Sequence, residues 1–223
     1  MGNENTYKET EEYWNAVFED VEMKFDPECK ISVDKIEDCL DWMVDEGSSI
    51  IDFGCGNGKL LIRCSAKGAE KGTGIDISSE GIDKAEKIAE KTGSNGRMDF
   101  VVGGKEILQD LQENEFDGGI LSNIIDNLLP EDSKEVLKEL NRIIEPDGKI
   151  FLKLNDHIDP DQMDEWNAKN INGSLYKEEG GLYLWNLTDE EVKNILNEHF
   201  KIEKRVDVEL EGQTNRLYYL RNL

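Results

Sequence analysis

An aspartate followed by three alternating glycines, Asp52-Phe53-Gly54-Cys55-Gly56-Asn57-Gly58, is the stretch of this sequence best equipped for chemistry. Glycine adopts positive φ at no steric cost and places no Cβ between main chain and ligand, so a turn of this composition lets a ligand lie directly on peptide groups. Ile50, Ile51 and Asp52 ahead of it read as a strand, and Leu60-Leu61-Ile62 behind it opens a helix whose first N–H groups have no intrahelical partner. Strand, glycine turn and helix together suit a nucleotide-like ligand. Two common versions of that site do not match. The dinucleotide pattern G-x-G-x-x-G, counted from Gly54, puts Lys59 at its third glycine, and a phosphate loop needs Ser or Thr where Leu60 stands.

A second carboxylate is placed to cooperate. Gly72 to Ile77 reads as a short strand carrying Asp76, 18 residues beyond Gly58. One strand-helix-strand unit returns a residue to the same sheet edge at about that separation, where a carboxylate can accept both hydroxyl protons of a ribose. Asp76 as a helix cap is the competing reading, with Ser78 and Ser79 as equal candidates for that job. Further along, Ser122-Asn123-Ile124-Ile125-Asp126-Asn127 follows the strand Phe116–Leu121, at the carboxyl end where open α/β sheets bind ligands. Asn123, Asp126 and Asn127 are either site groups or turn and cap residues. His157 is a candidate general base or a solvated loop histidine, and Cys55 is a nucleophile or a small filler of the glycine turn. Neither His157 nor His199 lies near Cys55 in sequence, and no pair of ligands has metal spacing, so no metal is expected.

These groups need a scaffold, and the periodicities supply one. Tyr7, Tyr13, Trp14, Val17, Phe18 and Val21 mark an amphipathic helix over Thr6–Met23, which either packs plainly or lids a ligand pocket. A second helix spans Ser32–Val44, with Ser32 as N-cap. Helices after the glycine turn to about Lys67, over Ser79–Lys91, through Leu111 and over Glu131–Ile144 alternate with strands at Met98–Val102, Phe116–Leu121 and Lys149–Leu154. Glu145-Pro146-Asp147-Gly148 reads as a turn. Residues 155–186 break the alternation and contain a hairpin around Glu178-Glu179-Gly180-Gly181, expected to cover an acceptor pocket. Thr188 begins a capped helix, and Phe200–Val208 and Asn215–Arg221 form two strands that must pair antiparallel, because their connection is too short for a parallel crossover.

Length and composition bound the answer. At 223 residues the chain suits one α/β domain with a real core. Fifty acidic residues against 26 basic give a formal charge of −24, which repels polyanions and argues against nucleic acid and anionic membranes as partners. Cys29, Cys39, Cys55 and Cys64 show no scaffold density, and no run is long and apolar enough to span a membrane; a cytoplasmic location with reduced thiols is expected.

The glycine motif with Asp52, the strand-end Asp76 and the strand-four and strand-five segments resemble class I S-adenosylmethionine-dependent methyltransferases from about Gly47 to Leu223. The resemblance implies a doubly wound, Rossmann-like α/β fold: seven mostly parallel strands in the order 3-2-1-4-5-7-6, the seventh antiparallel, with helices on both faces. Residues 1–46 would be a helical cap on a domain at 47–223. By the same resemblance Gly54, Cys55 and Gly56, helped by Asp52, would hold the methionine portion of S-adenosylmethionine, and Asp76 its ribose. Gly58, Ile77, Ser122 and Asn123 would complete the cofactor site. The strand-three aspartate that touches adenine in such enzymes is replaced by Gly104, leaving backbone groups or Glu106 to make that contact, with Lys105 beside them in the cofactor site. A small-molecule acceptor is expected, with a non-catalytic cofactor-binding protein or a protein methyltransferase with a basic partner as alternatives. Methyl transfer needs a base only when the acceptor must lose a proton early, and Asn123, Asp126 and His157 are the acceptor-side candidates.

Overall fold

The computed structural model describes residues 6–21, 25–26, 31, 33–210 and 213–223. In chain order the elements are α1 (Lys8–Asp20), α2 (Asp34–Met43), β1 (Ser49–Phe53), α3 (Lys59–Ala66), β2 (Lys71–Asp76), α4 (Ser79–Thr92), β3 (Met98–Val102), α5 (Glu106–Asp110) and β4 (Phe116–Ser122). After a short 3-10 turn (Ile125–Asn127) come α6 (Pro130–Ile143), β5 (Ile144–Asn155), α7 (Pro160–Glu165), β6 (Lys169–Asn172), β7 (Leu175–Lys177), β8 (Tyr183–Trp185), α8 (Asp189–Leu196), β9 (Phe200–Leu210) and β10 (Gln213–Asn222).

The main sheet has the order β3-β2-β1-β4-β5-β10-β9, which in seven-strand numbering is the expected 3-2-1-4-5-7-6. β1 pairs in parallel with both β2 and β4, and β10 runs antiparallel to both β5 and β9. β1 is buried over most of its length because helices cover both faces, which is why Ile50 and Ile51 need not alternate with polar residues. The order reverses at β1 and β4, so their carboxyl ends open a crevice at the sheet's switch point.

Two apolar layers sandwich the sheet. On one face Val136, Leu137, Leu140 and Ile143 of α6, at the spacing read from sequence, pack with Ile51, Leu152 and Tyr218. Each such side chain contributes roughly 1.5–3 kcal/mol by leaving water. On the other face Ile36, Leu40 and Met43 of α2 share a cluster with Ile50, Phe151 and Leu217. The two helices within residues 1–46 therefore differ in kind: α2 is part of the sheet's packing layer, while α1 lies across the crevice. Buried Glu37 ties α2 to α3 through Arg63 and through Lys67 at 2.6 Å. Burial alone would raise the Glu37 pKa, but hydrogen bonds from these two cations bring it down to about 2, so this anchorage persists to low pH and is lost only as pH falls through that value.

Several local expectations change. Ser32, read as the α2 cap, lies outside the described residues, as do residues 22–24 of the first helix and Glu211-Gly212 between the last strands. The expected turn at Glu145–Gly148 does not precede β5 but lies within it. Phe116 pairs with Ile144 and Gly118 already with Lys149, so the intervening residues bulge from the ladder, with Asp147 at φ 63°. The cover at 155–186 holds the expected hairpin, closed by Gly181 N–H to Glu178 O at 3.0 Å, together with α7 and a third strand, β6. Among the described residues no helix is long and apolar enough to cross a membrane.

Candidate functional site

A cavity of about 740 Å³ opens at the carboxyl ends of β1, β2 and β4. Its floor is the glycine turn. Gly54, Gly56 and Gly58 all have positive φ, and Gly54 N–H and Cys55 N–H both donate to Ile75 O of β2, at 2.8 and 3.0 Å. A Cβ on Gly54 would stand 2.9 Å from Ile124, and one on Gly56 would stand 2.7 Å from the ring of Phe18, so at both positions only glycine lets these wall side chains close on the main chain. Gly58 does not line the cavity. It is the left-handed N-cap of α3, packed against Phe100 and Ala85, so its place is in the core and the expectation of a ligand contact there is corrected.

The two strand-end carboxylates face this floor. Asp76 Oδ2 accepts from Gly56 N–H at 2.7 Å and Oδ1 from Ser78 N–H at 2.8 Å, tying the glycine turn to the end of β2. Burial raises its pKa, and those two amides lower it. Ser78, not Asp76, caps α4, through Gly81 N–H at 3.0 Å. Asp52 is 1% exposed, and its Oδ1 has no hydrogen-bond partner. Burial first, and the Asp76 charge second, push its pKa well above 3.8.

A folded-state value above the unfolded one means that the stabilising share of Asp52 is complete below about pH 3.8 and is lost as pH rises toward the folded value. Asp52→Asn is therefore expected to unfold at higher urea concentration than wild type at pH 7.5, with the gap narrowing toward pH 4. A variant less stable than wild type at neutral pH would contradict an unpaired buried carboxylate.

Of the residues singled out from sequence, Gly54, Cys55, Gly56, Ile77, Gly104, Lys105, Glu106, Ser122 and Asn123 join the two aspartates along the walls. Gly104 N–H is taken by Glu106 Oε1 at 2.7 Å. Burial holds the Cys55 thiol pKa well above its usual value, as do Asp52 and Asp76, so it stays protonated and fills space. Asn123 sits at φ 55° with its amide engaged at both ends: Nδ2 donates to Asn155 Oδ1 at 2.8 Å and to Asn215 Oδ1 at 3.2 Å, and Oδ1 accepts from buried Lys153. It orders the β4 tip and offers no free amide to an acceptor.

Two acceptor-side expectations are corrected. Asp126 is 1% exposed, lies outside the cavity wall and holds Asn155 N–H at 2.7 Å, because the 3-10 turn tucks it beneath the end of β5. His157 is exposed beyond β5, likewise away from the cavity, in the solvated position that a loop histidine takes by default.

The side chain that sequence reasoning missed is Asp132 on the far wall, where it meets Tyr7 and Lys105. Tyr7 O–H donates to Asp132 Oδ2 at 2.5 Å and accepts from Leu129 N–H at 3.0 Å, while Lys105 reaches Asp132 Oδ1 at 2.5 Å and also pairs with Glu135. Burial and the bond to Asp132 raise the Tyr7 pKa, so the phenol keeps its proton. Asp132 sits in the first turn of α6, where an acidic residue signals only a helix start. α1 is moored at several other points: Glu9 to Lys177 at 2.7 Å, Asn15 Oδ1 to Ser78 Oγ at 2.8 Å, and Lys84 to the carbonyls of Glu19 and Val21 at 2.8 and 2.7 Å. Tyr7 meets Tyr183 of β8 edge-on at 6.0 Å, so the hairpin backs the helix that walls the crevice, and no residue of 155–186 borders the cavity itself.

Residues 44–204 match the family model described as Methyltransferase domain. Over 117 residues, 51% of this chain, the sequence is 29% identical to the ribosomal protein L11 methyltransferase of Vibrio campbellii, covering 37% of that protein. The chain thus spans little more than a third of the length of this curated relative. Among solved structures, a SAM-dependent methyltransferase from Methanosarcina mazei superposes with TM-score 0.71 at 21% identity, covering 82% of this chain and 96% of that one. The 1,6-didemethyltoxoflavin-N1-methyltransferase of Burkholderia thailandensis, solved with 1,6-didemethyltoxoflavin and S-adenosylhomocysteine, superposes with TM-score 0.64 at 18% identity, covering 79% and 72%. At such identities the structural likenesses establish the fold.

Proposed function

The chain belongs to the class I S-adenosylmethionine-dependent methyltransferases, and from that premise we propose that it moves the methyl group to a small-molecule acceptor held beneath α1. The observation that carries this reading is the wall built by α1: Tyr7, Thr10, Trp14 and Phe18 all border the same cavity as the glycine turn. A protein or nucleic-acid acceptor needs an open approach, whereas this crevice is roofed by the chain's own helix α1, which the hairpin holds from behind through Lys177–Glu9 and Tyr183–Tyr7.

The residues present suit the cofactor. Asp52 Oδ1, buried and without a partner, is the acceptor that the α-ammonium of a methionine moiety would satisfy, and the main chain of Gly54 and Gly56 borders the cavity beside it. Asp76 would take the ribose hydroxyls. Ile77, Gly104, Lys105 and Glu106 would border the adenine, and Ser122 and Asn123 the side facing the acceptor. The cofactor supplies an activated methyl group on a sulfonium. What remains for the protein is alignment and exclusion of water. With Asn123 engaged and Asp126 and His157 off the wall, the polar groups nearest an acceptor are Tyr7, Asn127 and Asp132.

Calorimetric titration with S-adenosylmethionine and S-adenosylhomocysteine tests the reading. Both are expected to bind one-to-one, and Gly56→Val is expected to abolish binding, since its side chain would collide with Phe18 and displace α1 from the cavity wall. Failure of the wild-type protein to bind either compound would refute the proposal.

A further inference from the structure

We infer that the part of the cavity beyond the cofactor cradle takes an aromatic amine as its cation and rejects aromatic carboxylates of the same shape; this rests on the methyltransferase reading above. Two rings are held ready on α1. Trp14 stacks on Phe18 at 5.8 Å and meets Tyr13 edge-on at 5.4 Å, while Tyr7 is fixed by its bonds to Asp132 and Leu129 N–H. Both Trp14 and Tyr7 border the cavity, and aromatic surface already held by neighbours binds a planar group with little further ordering. Ile124 and Leu128 close the opposite side with apolar surface.

Charge then decides between planar ligands. The carboxylates bordering the cavity are Asp52, Asp76, Glu106 and Asp132, against the two ammonium groups Lys59 and Lys105. Lys105 is already committed to Asp132 and Glu135, and the whole chain carries −24. An anionic acceptor meets repulsion on entry, and outside the Lys105 pairs the lining offers it a single ammonium, Lys59, at the start of α3 behind the glycine turn. A cation is drawn in by the same field and gains from the faces of Trp14 and Tyr7.

The test uses one ring in three charge states: tryptamine, indole and indole-3-acetate, titrated into the full-length protein saturated with S-adenosylhomocysteine. Tryptamine is expected to bind about tenfold more tightly than indole-3-acetate, with indole between them. Trp14→Ala should weaken tryptamine about fivefold or more. Asp132→Asn, nearly isosteric, should narrow the tryptamine preference to about threefold or less by removing charge without removing shape. S-adenosylhomocysteine affinity, measured in each variant, reports whether the cradle is intact. Equal or tighter binding of indole-3-acetate in the wild type, or a Trp14→Ala protein that holds the cofactor product and binds tryptamine undiminished, would overturn the assignment. Wild-type protein that does not bind S-adenosylhomocysteine would instead overturn the reading beneath it.

Discussion

Asp76→Ala is expected to bind S-adenosylhomocysteine with a loss of roughly 1–3 kcal/mol, about five- to 150-fold in affinity, because two ribose hydroxyls would be left without an acceptor in a partly buried site. The same carboxylate holds Gly56 N–H and Ser78 N–H, so the substitution also frees the glycine turn from β2. Loss of affinity alone would therefore not separate a ligand contact from a scaffold contact. The separation comes from pairing the variant with a ligand that lacks the hydroxyls. Wild type should prefer adenosine to 2′,3′-dideoxyadenosine, and Asp76→Ala should bind the two alike, the interaction energy closing a double-mutant cycle. An undiminished preference for adenosine in a folded Asp76→Ala protein would remove the ribose assignment.

Gly58→Ala is expected to destabilise the fold by about 2–4 kcal/mol, the sum of left-handed strain and overpacking. At φ 70° its Cβ would lie 2.6 Å from Phe100 and 2.8 Å from Ala85, a gap that neither ring nor helix can widen without disturbing the layer between α3, α4 and β3. For a chain of this size the melting temperature should fall by roughly 5–15 °C. Gly93→Ala is the matched control. It has nearly the same φ, 71°, with nothing within 4 Å of the added atom, so it should cost only the backbone share of about 1–2 kcal/mol. Equal losses at the two positions by thermal or urea unfolding would mean that crowding at Gly58 is not what the third glycine provides.

The contrast among the glycines shows how much of the site sequence could carry. The turn itself was legible, because only glycine tolerates three left-handed positions so closely spaced, and the strand-end aspartate was legible through the length of one strand-helix-strand unit. Which glycine faces the ligand was not. Gly54 and Gly56 border the cavity while Gly58 faces Phe100, a residue 42 positions away on a strand whose neighbours are set by the sheet. The acceptor side was less legible still. Asn123, Asp126 and Asn127 lie within five residues at the β4 tip, yet one is bound up with Lys153, Asn155 and Asn215, one is buried beneath β5, and Asn127 borders the cavity with its Nδ2 donating to Asn123 O at 2.6 Å.

By itself, then, the sequence determined what local rules can express: alternation of strand and helix, hence the doubly wound sheet; an antiparallel final hairpin, because the few residues between Val208 and Asn215 cannot make a crossover; and a glycine turn flanked by two carboxylates. The tertiary structure alone decided what closes over that turn. Tyr7 and Asp132 stand 125 residues apart, and their hydrogen bond exists because α1 crosses the crevice to reach the start of α6. A periodicity of 3.6 marks which face of α1 is apolar, but which distant surface receives that face is set by how all the layers pack together, and no window of sequence contains that information.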